Sequence, residues 1–512
     1  MKVIVVGNGG REHTIAWKLA QSNIIEEVIC VPGNGGTAFE KKCRNIDFSK
    51  CEYLNGITGN DAYIKVAKEN KCELAVIGPE NPLAEGLADL FWNAGIPTVG
   101  PKFQAAQLEA SKDLAKEFMH KYNVACAKSK TFTSKEEALI YIKEQGAPIV
   151  VKADGLAAGK GVVVAKTLEE AENAVEQLMD GSIAGEAGKK LVIEEYLRGT
   201  EISILAAVSV TKEFSEQGKS CIVPFLSARD HKRLFDGAKG PNTGGMGAIA
   251  PVDDATPAII SQFEKNILEP TLKGLESENY DYRGFIFFGL MLTEDGPKCL
   301  EYNVRLGDPE TQAVLPLMDF DFASLCKSIT DGSLKDFNLE WKKGYQVAPV
   351  AVSGGYPKSY KKGYNIIINE EKVNESNAKV FIAGAMENRR SRSPDDTKLV
   401  TSGGRVLACS AYGTTFDENR DMPKFPGYKN KSPGKGFEWR GSSSPEDNKG
   451  NWYNPKTKES YHWDLNHAGP MKPHWDYINP NGWENGYRIY EDNSWERKIF
   501  DLFGGIGYAS KK

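Results

Sequence analysis

The stretch "CLEYNVRLGDPETQ" (299–312) places a carboxylate, Glu301, and an amide, Asn303, two positions apart. In a strand that spacing projects both side chains to one face. Hard oxygen donors of this kind suit Mg²⁺, which keeps one or two protein ligands and completes its shell with water and phosphate oxygens. The same stretch then supplies Arg305 and Asp308 in a turn, groups able to orient an anionic or zwitterionic substrate. An exposed strand end followed by an ordinary turn is the alternative reading.

A metal pair of this type needs a phosphate-binding element, and "KADGLAAGKG" (152–161) has the composition of one. It is not the common P-loop, because Lys160 is followed by Gly161 and no hydroxyl residue is in place for a metal. Lys152 ends an apolar run and so stands at a strand end. Gly155, Gly159 and Gly161, with the intervening alanines, leave backbone amides free to close over oxyanions, and Lys160 adds charge. A flexible hairpin is the competing reading. Lys112, in "LEASKDLAKEF", starts a helix and is a further cation for phosphate, although a lone lysine there reads equally as a solvated charge.

"VIEEYLRGTEIS" (192–203) runs a strand into Glu194, Glu195, Leu197 and Glu201. A purine nucleotide needs a backbone donor and acceptor for its base and a carboxylate for its ribose, and these residues can provide them. In isolation the segment reads as a solvated acidic hairpin. "SARDHKRLFDGAKGPNTGGMGA" (227–248), which carries Asp230, has the length and glycine content of a closing loop. Its histidine, His231, taken alone, is an ordinary surface residue.

The first hundred residues hold three further loops: "GNGGREH" (7–13), "PGNGGTA" (32–38) and "GPENP" (78–82). Gly9, Gly10 and Arg11 open a helix, where N–H groups attract anions; a tight strand-to-helix turn explains the same glycines. A second loop with Gly33, Asn34 and Gly35 favours a phosphorylated small substrate, and Glu80 lies in the third.

The elements that position these loops alternate. "KVIVVG", "EVICV", "ELAVIG" and "PTVG" read as strands, and "REHTIAWKLAQS", "DAYIKVAKEN" and "LAEGLADLFWNAG" as helices. Apolar strands each followed by a helix predict a parallel sheet covered on both faces, with ligands at the carboxyl ends of its strands. The expected fold class is α/β and α+β multidomain. Residues 1–104 form an α/β substrate-binding domain and 105–325 a mixed domain carrying the phosphate and metal motifs. Residues 326–418 form a smaller α+β domain, 419–434 a Pro/Gly/Lys-rich linker, and 435–512 an aromatic-rich, β-rich module.

Bulk properties narrow the functional class. A net charge of −5 over 512 residues gives no reason to expect a nucleic-acid or membrane surface. The amino-terminal apolar run is too short for a signal peptide, and nowhere do roughly 20 apolar residues follow one another. Nine scattered cysteines without a C-x-x-C pair read as reduced thiols. A cytoplasmic location is expected.

In their order, "GNGGREH", "PGNGGTA", "GPENPL", "KADGLAAGKGVVVA", "DHKR", "GPNTGGMGA", "EYNVRLGDPETQ" and "TSGGRVL" closely resemble the phosphoribosylamine–glycine ligase family of ATP-grasp enzymes, over residues 1 to about 418. The resemblance implies ligation of glycine to 5-phosphoribosylamine with ATP cleaved to ADP and phosphate, through a glycyl phosphate, in purine biosynthesis. It places Lys112, Lys152 and the 155–161 loop on ATP phosphates, and Glu194, Glu195, Leu197 and Glu201 on adenosine. Glu301 and Asn303 would hold Mg²⁺ or Mn²⁺, and the amino-terminal glycine loops the phosphoribosylamine. Lys152, Asp230, Arg305 and Asp308 are the residues expected to act in catalysis, in a monomer whose partners are small molecules. Another ATP-grasp ligase, acting on a different carboxylate–amine pair, is the related alternative.

Family members usually close with a further helix, where this chain has "NRDMPKFPGYKN". The segment after it resembles small carboxyl-terminal domains of bacterial polymorphic toxins. His462, Asp464, His467, His474 and Asp476 are its only chemical constellation, suited to acid–base work or metal binding and the only route to a nucleic-acid partner. A small β module with polar turns is the plain reading. A relic or carrier ligase fused to such an active or interacting tail is the alternative from another class.

Overall fold

The computed structural model describes residues 1–156, 161–182, 185–235, 237–388 and 399–414, and, further on, 438–441, 450–453, 455–456, 460–464, 474–479, 482–489 and 495–497. The chain divides into two compact units, Met1–Thr415 and Phe416–Lys512.

The first unit begins with β1 (Lys2–Gly7), α1 (Gly10–Ala20), β2 (Glu27–Pro32), β3 (Cys43–Asn45), α2 (Gly59–Glu69), β4 (Leu74–Ile77), α3 (Glu80–Ala84), α4 (Leu87–Asn93) and β5 (Thr98–Val99). The strands form one sheet in the order β3-β2-β1-β4-β5, every pairing parallel. Alternate residues feed two separate cores. Ile4, Val6, Ile29, Val31, Ala75 and Ile77 enter one, and Val3, Val5, Val28, Cys30, Leu74 and Val76 the other. Burial on both faces is why these strands are continuously apolar. Two features differ from the sequence reading. The strand Cys43–Asn45, short and half polar, carries no alternating pattern and was not expected. The single helix expected over "LAEGLADLFWNAG" breaks at Gly86, whose φ of 82° closes α3 before α4 begins.

After α5 (Phe103–Ala110) and α6 (Lys112–Lys121) comes a four-stranded antiparallel sheet. Its strands are β6 (Ser129–Phe132), β7 (Ile149–Ala153), β8 (Val162–Ala165) and β9 (Leu191–Glu195), in the order β6-β9-β7-β8. Helices α7 (Lys135–Gln145) and α8 (Leu168–Met179) cover it through Ile142, Val175 and Leu178 against Val151 and Ile193.

A larger sheet follows, built from β10 (Thr200–Val210), β11 (Cys221–Asp230), β14 (Gly247–Ala250), β15 (Tyr282–Thr293), β16 (Gly296–Asn303), β17 (Tyr345–Val352), β19 (Ala378–Ile382) and β22 (Arg405–Gly413). Its order is β16-β15-β10-β11-β14-β17-β22-β19, so one continuous sheet runs across residue 325. The segment 227–248, read as a closing loop, is largely strand. It holds the end of β11, a ribbon of β12 (Arg233–Phe235) with β13 (Lys239–Asn242), and the start of β14. Glycines there serve turns and close approaches within a paired structure. A small sheet of β18 (Asn365–Ile366), β20 (Ala385–Glu387) and β21 (Leu399–Thr401) completes the unit.

The described residues of the second unit form a six-stranded antiparallel meander of β23 (Glu438–Gly441), β24 (Gly450–Tyr453), β25 (Ser460–Asp464), β26 (His474–Asn479), β27 (Gly482–Ile489) and β28 (Trp495–Arg497). The proposed linker, 419–434, lies outside the described residues. All nine cysteines are free. Among the described residues no helix is long and apolar enough to cross a membrane.

Candidate active site

Ser111 caps α6, its hydroxyl accepting from Leu114 N at 3.1 Å, and so puts Lys112 in the first helical turn. The Lys112 ammonium donates to the Gly155 carbonyl at 2.9 Å, tying the helix start to the edge of the phosphate loop. Burial pulls the Lys112 pKa down, partly offset by the nearby Glu301 carboxylate. Of the loop itself, Gly159 and Lys160 lie outside the described residues.

Lys152, 6 % exposed on β7, ion-pairs with Glu194 on the adjacent β9 at 2.9 Å. Lys116, from α6, reaches the other Glu194 oxygen at 3.4 Å. Thus Glu194, expected beside adenosine, is a 3 % exposed carboxylate held between two lysines. Glu195 is exposed and accepts from Lys128 N at 2.8 Å. Leu197 is half-buried in the otherwise exposed stretch before β10, and Glu201 pairs with Lys232.

Glu301 and Asn303, the expected metal pair, are at the end of β16. Pairing with β15 shifts register there, so Gly289 faces Glu301 while Leu290 faces Cys299. Lys152 Nζ lies 3.4 Å from the Leu300 carbonyl, which brings the phosphate-loop lysine to the strand carrying Glu301 and Asn303. Burial alone would raise the Glu301 pKa, but Lys232, Lys152 and Lys112 together hold it below the ordinary carboxylate value. An ionised carboxylate beside an amide oxygen is a fitting donor pair for a hard divalent cation. Asn303 Oδ1 accepts from Arg305 Nη2 at 3.1 Å.

Arg305 crosses to two other elements. It pairs with Glu109 of α5 at 2.8 Å and with Glu80 of α3 at 3.4 Å. Glu109 also accepts from Val304 N at 2.7 Å and therefore fixes the strand end. Asp308 is bonded by Gln312 at 2.8 Å and paired with Arg405 at 3.3 Å. Arg405 reaches the Asp308 carbonyl at 2.8 Å and the Gly244 carbonyl as well. Burial raises the Asp230 pKa, against the pull of Lys232. Burial and Asp230 together push the Glu310 carboxyl up to about 8. His231 is exposed.

The amino-terminal loops meet at the carboxyl ends of β1, β2 and β4. Arg11, nearly buried, pairs with Glu12 at 2.6 Å, approaches Glu80 at 3.8 Å and donates to the Leu306 carbonyl at 3.1 Å. Glu12 accepts from Gly9 N at 2.6 Å, and its carboxylate occupies the space that side chains at Gly7, Gly9 and Gly78 would need. A side chain at Gly10 would meet the Gln312 amide. Gly33 N bonds the Gly7 carbonyl at 3.1 Å, joining the first two loops. Asn34 and Gly35 are buried, Asn34 against Ile382 and Gly35 against Ala385, Met386 and Leu399.

In the second unit, His462 stands opposite Asp476, and Asp464 opposite His474, in the β25–β26 register. His467 lies outside the described residues.

Sequence reading missed Glu12, Glu109, Lys116, Glu310 and Arg405 as site residues. Their signal was present only as polar residues inside quoted motifs or apolar helices, without a named partner.

A lysine-flanked carboxylate and amide at a strand end, served by a glycine-rich hairpin on a separate four-stranded sheet, define the ATP-grasp class. Family comparison agrees. Phosphoribosylglycinamide synthetase models match residues 1–109 (N domain), 110–311 (ATP-grasp domain) and 346–423 (C domain). A phosphoribosylamine–glycine ligase of Clostridium acetobutylicum is 48 % identical over 418 residues, 82 % of this chain and 94 % of that protein. One from Escherichia coli O157:H7 is 43 % identical, covering 82 % and 92 %. The crystal structure of the Thermotoga maritima phosphoribosylamine–glycine ligase aligns with a TM-score of 0.65 at 35 % identity, over 81 % of this chain and 93 % of that one. The chain belongs to the phosphoribosylglycinamide synthetase family.

Proposed function

We propose that this chain joins glycine to 5-phosphoribosylamine and converts ATP to ADP and phosphate. The observation that carries the reading is the approach of Lys152 to β16, where its ammonium lies 3.4 Å from the Leu300 carbonyl, the residue next to Glu301. A carboxylate is a poor electrophile, so the glycine carboxylate first takes the γ-phosphoryl group: a new O–P bond forms as the bond to ADP breaks. The ribosylamine nitrogen then attacks the glycyl carbon, loses a proton and expels inorganic phosphate. Both steps rest on positioning and charge neutralisation rather than on a covalent protein nucleophile.

In this reading Lys112 and Lys152 bind phosphate oxygens, and Arg305 and Asp308 orient glycine through its carboxylate and ammonium. The glycine loops at Gly9–Arg11 and Gly33–Gly35, with Glu80, take the phosphorylated amine. Glu195, Leu197 and Glu201 face the nucleoside. Glu301 and Asn303 would hold Mg²⁺ or Mn²⁺, whose positive charge offsets that developing on the transferring group. Residues 1–104 and 105–325 act as amine-binding and nucleotide-binding domains, and 326–418 as the carboxyl-terminal α+β domain, of a cytoplasmic monomer.

The test is ADP release by the purified chain, with the ribosylamine generated in the assay. Release that requires glycine and ribosylamine together is expected. Release that proceeds without one of them, or only with a different acid or amine, would overturn the reading.

A further inference from the structure

The carboxyl-terminal strand β19 ends at Ile382, and its last peptide is held from both sides by the amino-terminal glycine motifs. His13 Nδ1 accepts from Ile382 N at 2.8 Å. Asn34 Nδ2 donates to Ile382 O at 2.8 Å and also to the carbonyls of Asn8 and Gly9, at 3.0 and 3.1 Å. Gly35 N bonds the Ala385 carbonyl at 3.0 Å. Gly36 has to be glycine, because any Cβ there would occupy the place of the His13 ring. The other side of the ring is fixed as well: Nε2 faces Glu40 at 3.4 Å, and Glu40 pairs with Lys379 of β19 at 2.6 Å. Phe381 packs edge-on against His13 and Trp17. Beyond the clamp, Ala383 and Gly384 bond the main chain of Val406 and Arg405. The Arg405 side chain ends on Asp308.

We propose that His13 and Asn34 are positioning residues for the phosphorylated amine, gripping the Ile382 peptide so that residues 382–385 are locked against both glycine loops. The inference rests on the activity proposed above and on those loops taking the ribosylamine. Nothing in the clamp touches Lys112, Lys152 or Glu301, and it bonds the glycine loops directly, whereas Asp308 is reached only through the main chain of 383–384 and the Arg405 side chain, so its loss should act chiefly on the ribosylamine.

The test is steady-state kinetics of full-length variants. In His13→Leu the acceptor is removed, and KM for the ribosylamine should rise roughly tenfold while kcat and the KM values for ATP and glycine stay within about twofold. His13→Asn, whose Oδ1 can stand in for Nδ1, should restore most of the loss. Amide exchange across 379–386 should quicken in His13→Leu and return in His13→Asn. Equal ribosylamine KM in the wild type and His13→Leu, or a parallel rise in all three KM values, would overturn the inference alone. A wild-type chain that releases ADP without the ribosylamine would overturn both this inference and the activity it rests on.

Discussion

The two sides of the site are built on opposite principles. On the phosphate side, cations crowd a few buried anions: Lys152 and Lys116 share Glu194, while Lys112 ends on a carbonyl and faces Glu301 together with Lys232. Buried charge that is only partly matched is expensive, and in the proposed function an incoming triphosphate with its metal ion would complete the balance. On the amine side the polar groups answer one another. Arg11 meets Glu12, Asn34 divides its amide among three carbonyls, and His13 meets Ile382 and Glu40. One side is tuned by charge for a ligand, and the other by hydrogen bonds for a shape. Substitutions on the first should therefore strike turnover, and those on the second should strike affinity for one substrate.

Several substitutions can break or sharpen that contrast. The largest effect is expected for Glu301→Gln, which keeps the size of the side chain and removes its charge; kcat should fall roughly a thousandfold, the scale of losing one strong electrostatic contact, with the fold retained by circular dichroism. A loss under tenfold would place the phosphate-side centre elsewhere. Lys152→Ala comes next. It strands Glu194 with Lys116 as its remaining lysine, costing about 3 kcal/mol of stability in denaturant titration as well as turnover. Adding Glu194→Gln should recover stability without recovering turnover. If turnover returns too, Lys152 serves only the ion pair.

Glu109→Gln probes the seam between the sides. It can still accept from Val304 N but weakens the grip on Arg305, so kcat/KM for glycine should drop about tenfold, a loss of roughly 1.4 kcal/mol. The smallest effect is one of pH. Burial lowers the His13 pKa from 6.5, while Glu40 opposes the shift and Lys379 supports it. Between 6.5 and that lower folded value the unfolded chain binds more protons, so stability rises with pH there and is lost as pH falls through the folded value. Protonation at Nδ1 also removes the acceptor for Ile382 N. The ribosylamine KM should thus stay flat through 6.5 and climb only as pH falls through the lower folded value, and His13→Asn should flatten that limb; an identical profile in both chains would detach the clamp from substrate affinity.

Legibility followed the range of the interaction. The parallel amino-terminal sheet was readable because burial on both faces forces continuous apolar strands, and the Lys152, Glu301 and Asn303 motifs because strand ends and glycine hairpins are local patterns. The break at Gly86 was hidden, since the apolar positions of α3 and α4 keep a helical rhythm across it. The segment 227–248 looked like a loop because the strands of its β12–β13 ribbon are short and mostly exposed, and so lack the alternation that marks a half-buried strand. That the Asn34 amide donates to the carbonyls of Asn8, Gly9 and Ile382 was not legible, because Ile382 lies 348 residues away.

By itself the sequence determined which chemical groups exist in which local frames: lysines and glycines at a hairpin, paired oxygen donors on a strand, glycine loops at strand ends, and the family to which they correspond. Only the tertiary structure decided their partners. Glu109 meets Val304 across 195 residues, Arg405 meets Asp308 across 97, and His13 meets Ile382 across 369. Spacing along a chain carries no trace of such pairings, because they arise from the packing of sheets whose order differs from the order of the sequence.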